Sequence, residues 1–245
     1  MKGIILAGGL ATRLRPLTLV SNKHLLPVYN KPMIYYAVES MKKAGVTEVL
    51  ITSSPKHCGQ FINLLKSGFD FGLNFSYAVQ DQPGGIPDAI MLGQNHVGDD
   101  NVLVILGDNI FNHPLDKTVK NFDDKGKQGA TVFGVEMNTK SGQYGVIEIN
   151  QYKKVLSIEE KPKNPKSNLA QTGIYIYDNR VFSFIKKLKP SKRGELEVTD
   201  LNNIYLNEGT LNCEILKGLW VDAGTSHDEL LRANIKVAEK ENAKS

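Results

Sequence analysis

The stretch KGIILAGG, residues 2–9, sets the architecture. Its apolar run from Ile4 to Ala7 lies between Lys2 and the pair Gly8-Gly9, so Lys2–Ala7 reads as a short buried strand that stops at a turn. Strand-like and helix-like segments alternate after it. Met33–Ala44 carries apolar residues at 33, 34, 37, 38 and 41, a helical stripe opened by Pro32. Glu48–Thr52 reads as a strand, His57–Lys66 as a helix and Asn74–Val79 as a third strand. Gly84-Gly85 opens a further helix running to about Gln94. Val102–Leu106 (VLVIL) is a near-continuous apolar strand of the kind covered on both faces. This βαβα rhythm predicts a mostly parallel sheet flanked by helices.

The second half changes character. Gln143–Asn150 and Val155–Glu159 alternate apolar with polar residues, and Thr172–Tyr177 is rich in β-formers, so antiparallel or mixed strands are expected. Helices are expected near 180–188 and 198–207. A last helix starts at Ser226, with Glu229 three residues on as a capping box. No Ser/Gly linker or internal repeat interrupts the chain. The reading is one continuous α/β domain over residues 1–245 with an inserted, smaller antiparallel portion.

Composition narrows the function. The chain has 245 residues, a size that buries roughly 70–75% of the unfolded surface and needs no disulfide or metal staple. Lys and Arg number 30 against 26 Asp and Glu, a net charge of +4. That balance argues against a dedicated nucleic-acid binder. Cys58 and Cys213 lie far apart without CxxC spacing, so neither a disulfide framework nor a thiolate metal site is expected. No apolar run approaches the ~20 residues of a membrane span, and Ile4 to Ala7 is too short for a signal-peptide core. A soluble, cytoplasmic protein that binds no membrane is expected.

The chemistry gathers at the front. Residues 1–38 contain no Asp or Glu, yet hold Lys2, Arg13, Arg15, Lys23 and Lys31. Glycines let a ligand approach the backbone, whose N–H groups cradle phosphate oxygens, while Arg grips phosphate with a fork and Lys adds a point charge. Placed at a strand's C-terminal end, where open α/β sheets bind ligands, the cluster points to a polyanion rather than to a solvated basic loop. Two phosphate-binding classes fit poorly. GxxxxGK[ST] is absent, which argues against a sugar or nucleotide kinase, and no GxGxxG follows because the next glycine after Gly9 is Gly45.

LAGGLATRLRPLT at 6–18 resembles the LAGGxGTRLxPLT motif of sugar-1-phosphate nucleotidyltransferases. SNKHLLPVYNKPMIYY at 21–36, YAVQ at 77–80, LGDNIF at 106–111, YGV at 144–146, EEKPKNPKSN at 159–168, TGIYIYD at 172–178, RGELEVTD at 193–200 and WVDAGT at 220–225 continue the resemblance in order. Within that family the pattern is most similar to the glucose-1-phosphate thymidylyltransferases, in a short form. The resemblance implies a Rossmann-like, nucleotide-diphospho-sugar transferase fold. A nucleotide-binding part would span about 1–110, a sugar-phosphate-binding part about 111–225 and a C-terminal helix 226–240. It implies transfer of a nucleotidyl group from dTTP or UTP to glucose 1-phosphate, with release of pyrophosphate. A homo-oligomer would feed deoxysugar (rhamnose-type) cell-surface polysaccharide synthesis.

The resemblance also implies roles for residues. Leu6, Gly8, Gly9, Arg13, Lys23, Gln80, Gly85 and Asp108 would bind the nucleotide, with Gln80 reading the pyrimidine edge. Asp108 and Asp222 would hold Mg2+, which favours oxygen ligands. Asn109, Tyr144, Gly145, Glu160, Lys161, Thr172, Tyr175 and Arg193 would bind the sugar phosphate. Arg13, Lys23, Asp108 and Lys161 would be catalytic through charge and positioning, since a phosphate nucleophile needs no general base. Plainer readings stand beside these. A strand-end Asp108 is also a natural cap or turn residue, Glu160-Lys161 an exposed charged loop, and Tyr175 a strand residue facing away from Ile174 and Ile176. A uridylyltransferase is an alternative. So is a non-catalytic nucleotide-sugar-binding regulator, although such a protein would be expected to lose the arginine or the aspartates. The chain departs from the pattern at Ala11 (usually Gly), at His24 (often Gln) and at GGIPD, residues 84–88, where a Gly-x-Ala-Gln/Glu-Ala helix start is expected.

Overall fold

The computed structural model describes residues 1–124, 128–140 and 142–243. The first half supplies β1 (Lys2–Leu6), β2 (Pro27–Val28), β3 (Lys31–Pro32), α1 (Ile34–Lys43), β4 (Glu48–Ser53), α2 (Pro55–Leu65), β5 (Asn74–Val79), α3 (Ile86–Met91), α4 (Gln94–Val97) and β6 (Val102–Leu106). The second half supplies β7 (Asn109–Phe111), α5 (Asp116–Asp124), β8 (Ala130–Glu136), β9 (Val146–Ile149), β10 (Val155–Glu159), β11 (Leu169–Tyr177), α6 (Val181–Ile185), α7 (Val198–Asn207), β12 (Leu211–Ile215), β13 (Trp220–Asp222) and α8 (His227–Asn242).

β1 lies in the middle of a nine-stranded sheet, parallel to β4 on one side and β6 on the other, with β5 outside β4. Both faces of β1 are covered, which is why its sequence is an unbroken apolar run. Ile4 packs with Ala89 and Ile90 of α3, and Ile5 with Ala37, Val38 and Met41 of α1. α1 buries Ile34, Ala37, Val38 and Met41, the stripe expected from the spacing. The helix expected from Gly84 to Gln94 breaks into α3 and α4. Gly93 stands at the break, where an added Cβ would lie 2.4 Å from Ile4 Cδ1.

β11 runs antiparallel between β6 and β8, and β12 extends the far edge parallel to β8. Tyr175 and Tyr177 point to one core cluster and Ile174 and Ile176 to the other. The hairpin β9–β10 pairs with β11 at Ala170, opposite Val146, and the Gln171 N–H donates to the Gly145 carbonyl at 2.7 Å beside it. The sheet therefore forks. β6 pairs with β11 from Ile174 onward, while β9 meets its earlier half, and a cleft opens between them. The alternation over 143–150 yields a strand only at Val146–Ile149. Ser226 caps α8 by accepting from the Glu229 N–H at 3.1 Å, but the Glu229 carboxylate pairs with Arg232, so the box is half formed. Cys58 and Cys213 are both free thiols. Among the described residues no helix is long and apolar enough to cross a membrane.

Asn109 ties the fork together. It is 1% exposed, and its Oδ1 accepts from the Gly173 N–H at 2.9 Å and from the Trp220 indole N–H at 2.8 Å. One carboxamide thus joins β7, β11 and β13. Asn109→Ala should leave two buried donors without partners and cost about 2–5 kcal/mol. A fall in melting temperature of roughly 5–15 °C is the expected reading.

Candidate active site

The basic segment folds back over the end of β1. Ala7 still pairs with Thr52, and the chain then turns through Gly8 and Gly9, the latter at φ 91°. Ala11 takes the left-handed conformation, φ 47° and ψ 40°. The departure from glycine is therefore a strained one, of about 1 kcal/mol. Its carbonyl accepts from the Thr18 hydroxyl at 2.8 Å. Asn22, only 3% exposed, anchors the return: its amide donates to the Ala7 carbonyl at 3.2 Å. Its oxygen accepts from the His24 N–H at 2.9 Å and lies 2.7 Å from His24 Nδ1, which therefore carries the proton. Burial, helped by the Lys23 charge, pushes the His24 ring down to about 3. His24 is a neutral wedge beneath the turn at Gly107, where a Cβ would lie 2.9 Å from its Cδ2.

Lys23 meets Asp108, 85 residues away, in a buried ion pair. Asp222 comes to the same place because β13 runs antiparallel to β7, with Asp222 opposite Asn109. The Ala223 N–H donates to the Asp108 carbonyl at 3.0 Å. Gly224 completes the approach: a Cβ there would lie 2.1 Å from Asp108 Oδ2. Burial alone would raise the Asp108 carboxyl, but the Lys23 ammonium outweighs it and holds the group at about 2. Asp222 is the converse, since burial and the Asp108 charge push it up to about 6. Asp222 Oδ1 is buried without a hydrogen-bond partner. Among the described residues no cluster of three His, Cys, Asp or Glu offers a complete metal cage. Two hard oxygen donors, one of them orphaned, suit a divalent cation that takes its other ligands from phosphate and water.

Two cavities flank this acid pair. The first, about 270 Å³, is lined by Leu6, Gly8, Gly9, Lys23, Gln80, Gly85 and Asp108, together with Glu195. Beside it a 490 Å³ hollow adds Arg15 and Lys56 to Gly9 and Lys23. Gly85, at φ 96°, is required by packing: a Cβ would lie 2.2 Å from the Leu196 carbonyl oxygen. The second cavity, about 140 Å³, lies in the fork of the sheet. Arg13, Asn109, Tyr144, Gly145, Glu160, Lys161, Thr172, Tyr175 and Asp222 line it. Lys161 sits at φ 43°, another strained non-glycine position.

Several of the expected sugar-side groups are already engaged within the fold. The Asn109 carboxamide serves Gly173 and Trp220. Thr172 donates its hydroxyl to the Phe133 carbonyl at 2.8 Å. Glu160 accepts from Thr199 at 2.8 Å and pairs with Lys161 at 3.3 Å. Tyr175 is 2% exposed, its hydroxyl accepts from the Gln171 amide at 3.3 Å, and burial raises its phenol. Tyr144 packs edge-on against Trp220, with ring centroids 5.5 Å apart. Arg193 alone of the expected residues stays out of the cleft, because its guanidinium grips Glu197 at 2.7 Å. Asn22, Gln171 and Trp220 carry the site without having been singled out by sequence. Gln171 Oε1 is a second buried acceptor without a partner, in the same cleft as Asp222.

A mixed sheet with a glycine turn at the ends of its parallel strands, facing paired acids across a forked cleft, fits a nucleotidyl-transferring α/β protein. The chain belongs to the nucleotidyl transferase family, whose model matches residues 2–240. A glucose-1-phosphate thymidylyltransferase of Neisseria meningitidis is 48% identical over 236 residues, 95% of this chain and 81% of that one. One from Mycolicibacterium smegmatis is 45% identical over 96% of this chain and 81% of that one. A Bacillus anthracis crystal structure described as a glucose-1-phosphate thymidylyltransferase in complex with sucrose matches with a TM-score of 0.90 at 49% identity, over 96% and 94% of the two chains. A UDP-glucose pyrophosphorylase complexed with UDP-glucose matches with a TM-score of 0.83 at 27% identity, over 98% of each. The family generally uses a divalent metal.

The raised Asp222 carboxyl has a measurable consequence. The folded state holds this proton to about 6, whereas an unfolded Asp releases it near about 3.9. Ionised Asp222 therefore destabilises the metal-free fold at neutral pH, and the penalty disappears as pH falls through 6 toward 4. Asp222→Asn should melt higher than the parent at pH 7 without divalent ions, and the two should converge below about pH 4. Thermal melts across that range check it.

Proposed function

We propose that this chain transfers a thymidylyl group from dTTP to glucose 1-phosphate, giving dTDP-glucose and pyrophosphate. The observation that carries the reading is the meeting of Lys23, Asp108 and Asp222 between one cavity beside the glycine turn and another in the fork. A sugar-phosphate oxygen attacks the α-phosphorus in line, the bond from that phosphorus to the bridging oxygen breaks, and pyrophosphate leaves. The nucleophile is already ionised, so the protein's work is alignment and charge. Thymidylyl is preferred to uridylyl because the relatives named for it are 45–49% identical, against 27% for the UDP-glucose pyrophosphorylase.

In this reading the backbone of Gly8 and Gly9, with Arg13, grips the triphosphate. Lys23 neutralises the α-phosphate region once it shares Asp108. Leu6, Gln80 and Gly85 receive the base. Tyr144, Gly145, Glu160, Thr172 and Tyr175 shape the sugar pocket, and Asn109 acts by holding the fork. Lys161 faces the sugar phosphate, and Arg193 joins it by releasing Glu197. Asp108 and Asp222 would hold magnesium, which, when bound, offsets charge on the transferring group. The protein works as a soluble cytoplasmic homo-oligomer, and its product supplies deoxysugar (rhamnose-type) surface polysaccharide synthesis.

The test is a matrix of nucleoside triphosphates against sugar 1-phosphates, read as pyrophosphate. Release should be highest with dTTP plus glucose 1-phosphate and absent without the sugar phosphate. Asp108→Asn should remove nearly all turnover with the melting transition intact. Arg13→Ala should slow turnover on the order of 10²–10³-fold, as loss of one preorganised charge donor does. Near-parental rates in either variant would overturn the role assigned to that residue.

A further inference from the structure

The Gln80 amide does not hang free in the cavity beside the glycine turn. Its Nε2 donates to Asp88 Oδ2 at 2.7 Å, with the Gly85 carbonyl 3.4 Å away. Asp88 stands in the first turn of α3, within the GGIPD stretch that departs from the family pattern. Its carboxyl is boxed in, because a Cβ on Gly84 would lie 2.5 Å from Asp88 Cγ. A carboxylate can only accept, so only the NH2 end of the amide can face it. The two ends of a glutamine amide are nearly equal in size, and without such a partner they exchange freely. Here Oε1 is turned the other way, to where a Cβ on Gly8 would lie 3.1 Å from it. Gly8 and Gln80 line the same cavity.

We infer that Asp88 is a positioning residue: it locks the Gln80 amide in one sense, and so makes the site select pyrimidines bearing N3–H over cytosine. This deepens the thymidylyl reading and rests on it for the place of the base. With its nitrogen held by Asp88 and facing the Gly85 carbonyl, Gln80 offers the cavity Oε1 as an acceptor. Thymine and uracil present the complement, N3–H. Cytosine presents an N3 acceptor and an N4 amino group, which match only the flipped amide. Flipping would set Oε1 against the Asp88 carboxylate, two acceptors face to face. The cost of rejecting cytosine is thus carried by a residue that touches no substrate.

Asp88→Asn tests this. It is nearly isosteric, yet can turn either its oxygen or its nitrogen toward Gln80, so it removes the lock without emptying the space. Calorimetry gives the dTTP and dCTP affinities, and pyrophosphate release with saturating glucose 1-phosphate gives kcat and KM for each. The parent should prefer dTTP. In Asp88→Asn that preference should fall roughly tenfold or more, through Kd and KM, with kcat for dTTP little changed. Asp88→Glu keeps an acceptor-only group and should retain the preference, whereas Asp88→Ala gives the same comparison if the Asn variant does not fold. A parent that binds both nucleotides equally, or a folded Asn variant with an unchanged ratio, overturns the inference. Absence of pyrophosphate from the parent would refute the thymidylyl reading instead, since the affinity ratio needs no turnover.

Discussion

Two carboxylates cannot lie buried side by side without something to answer their charge, and in this protein one lysine answers for only one of them. Asp108 has Lys23; Asp222 has an oxygen with no partner. Burial lifts the second carboxyl while the ion pair lowers the first, and the two are pushed to opposite ends of the carboxylate range. The antiparallel pairing of β7 and β13 fixes this contact in backbone, so side-chain motion alone cannot relieve it. Such an arrangement costs stability when nothing is bound, and a cation would complete it. The remaining features of the site are ways of bringing anions to that point.

The forked sheet decides where they come from. β1 and β6 end together, and beyond them the glycine turn and the N-terminus of α3 leave one chamber. β11 departs from β6 at Gly173, where an added Cβ would lie 2.5 Å from Leu106 Cδ1, and the divergence of β9 leaves the other. Leu106 borders both chambers, with Asp108 lining the first and Asp222 the second. This division suits the two-substrate reaction proposed above: each partner would be held on its own side, and the groups that react would meet at the wall between them.

Much of this was legible in sequence, for reasons that differ by element. β1, β4, β5, β6 and β10 were readable because burial on one or both faces writes itself into the apolar pattern. α1 and α7 were readable because their stripes are regular. β8, β12 and α5 were not singled out. The three-residue strands β7 and β13 are too short to show any period, although they bring the acids together. The motifs named residues that the fold gathers around these cavities, but a motif cannot say which side chains the fold has already engaged. Asn109, Thr172 and Arg193 were expected to face the sugar phosphate. The structure engages them with Trp220 and Gly173, with Phe133 and with Glu197, while Asn109 and Thr172 still line the fork. Asn22 and Gln171 left no signal, since an amide in a loop or a strand carries no periodicity.

What remains unengaged describes the substrate better than what is conspicuous. Among the described residues, Arg13 has no carboxylate partner, and it shares the fork with Asp222 Oδ1 and Gln171 Oε1, two buried acceptors that nothing in the chain satisfies. Buried polar groups without partners are rare in folded proteins, because each costs the desolvation that a hydrogen bond would have offset. An anion answers the arginine, a cation the carboxylate, and a hydroxyl donor the amide oxygen. A phosphate ester of a polyol, arriving with a metal, supplies all three at once, whereas a neutral sugar does not. The sugar phosphate proposed for this cleft meets these three needs on chemical grounds, beside the resemblance that first suggested it.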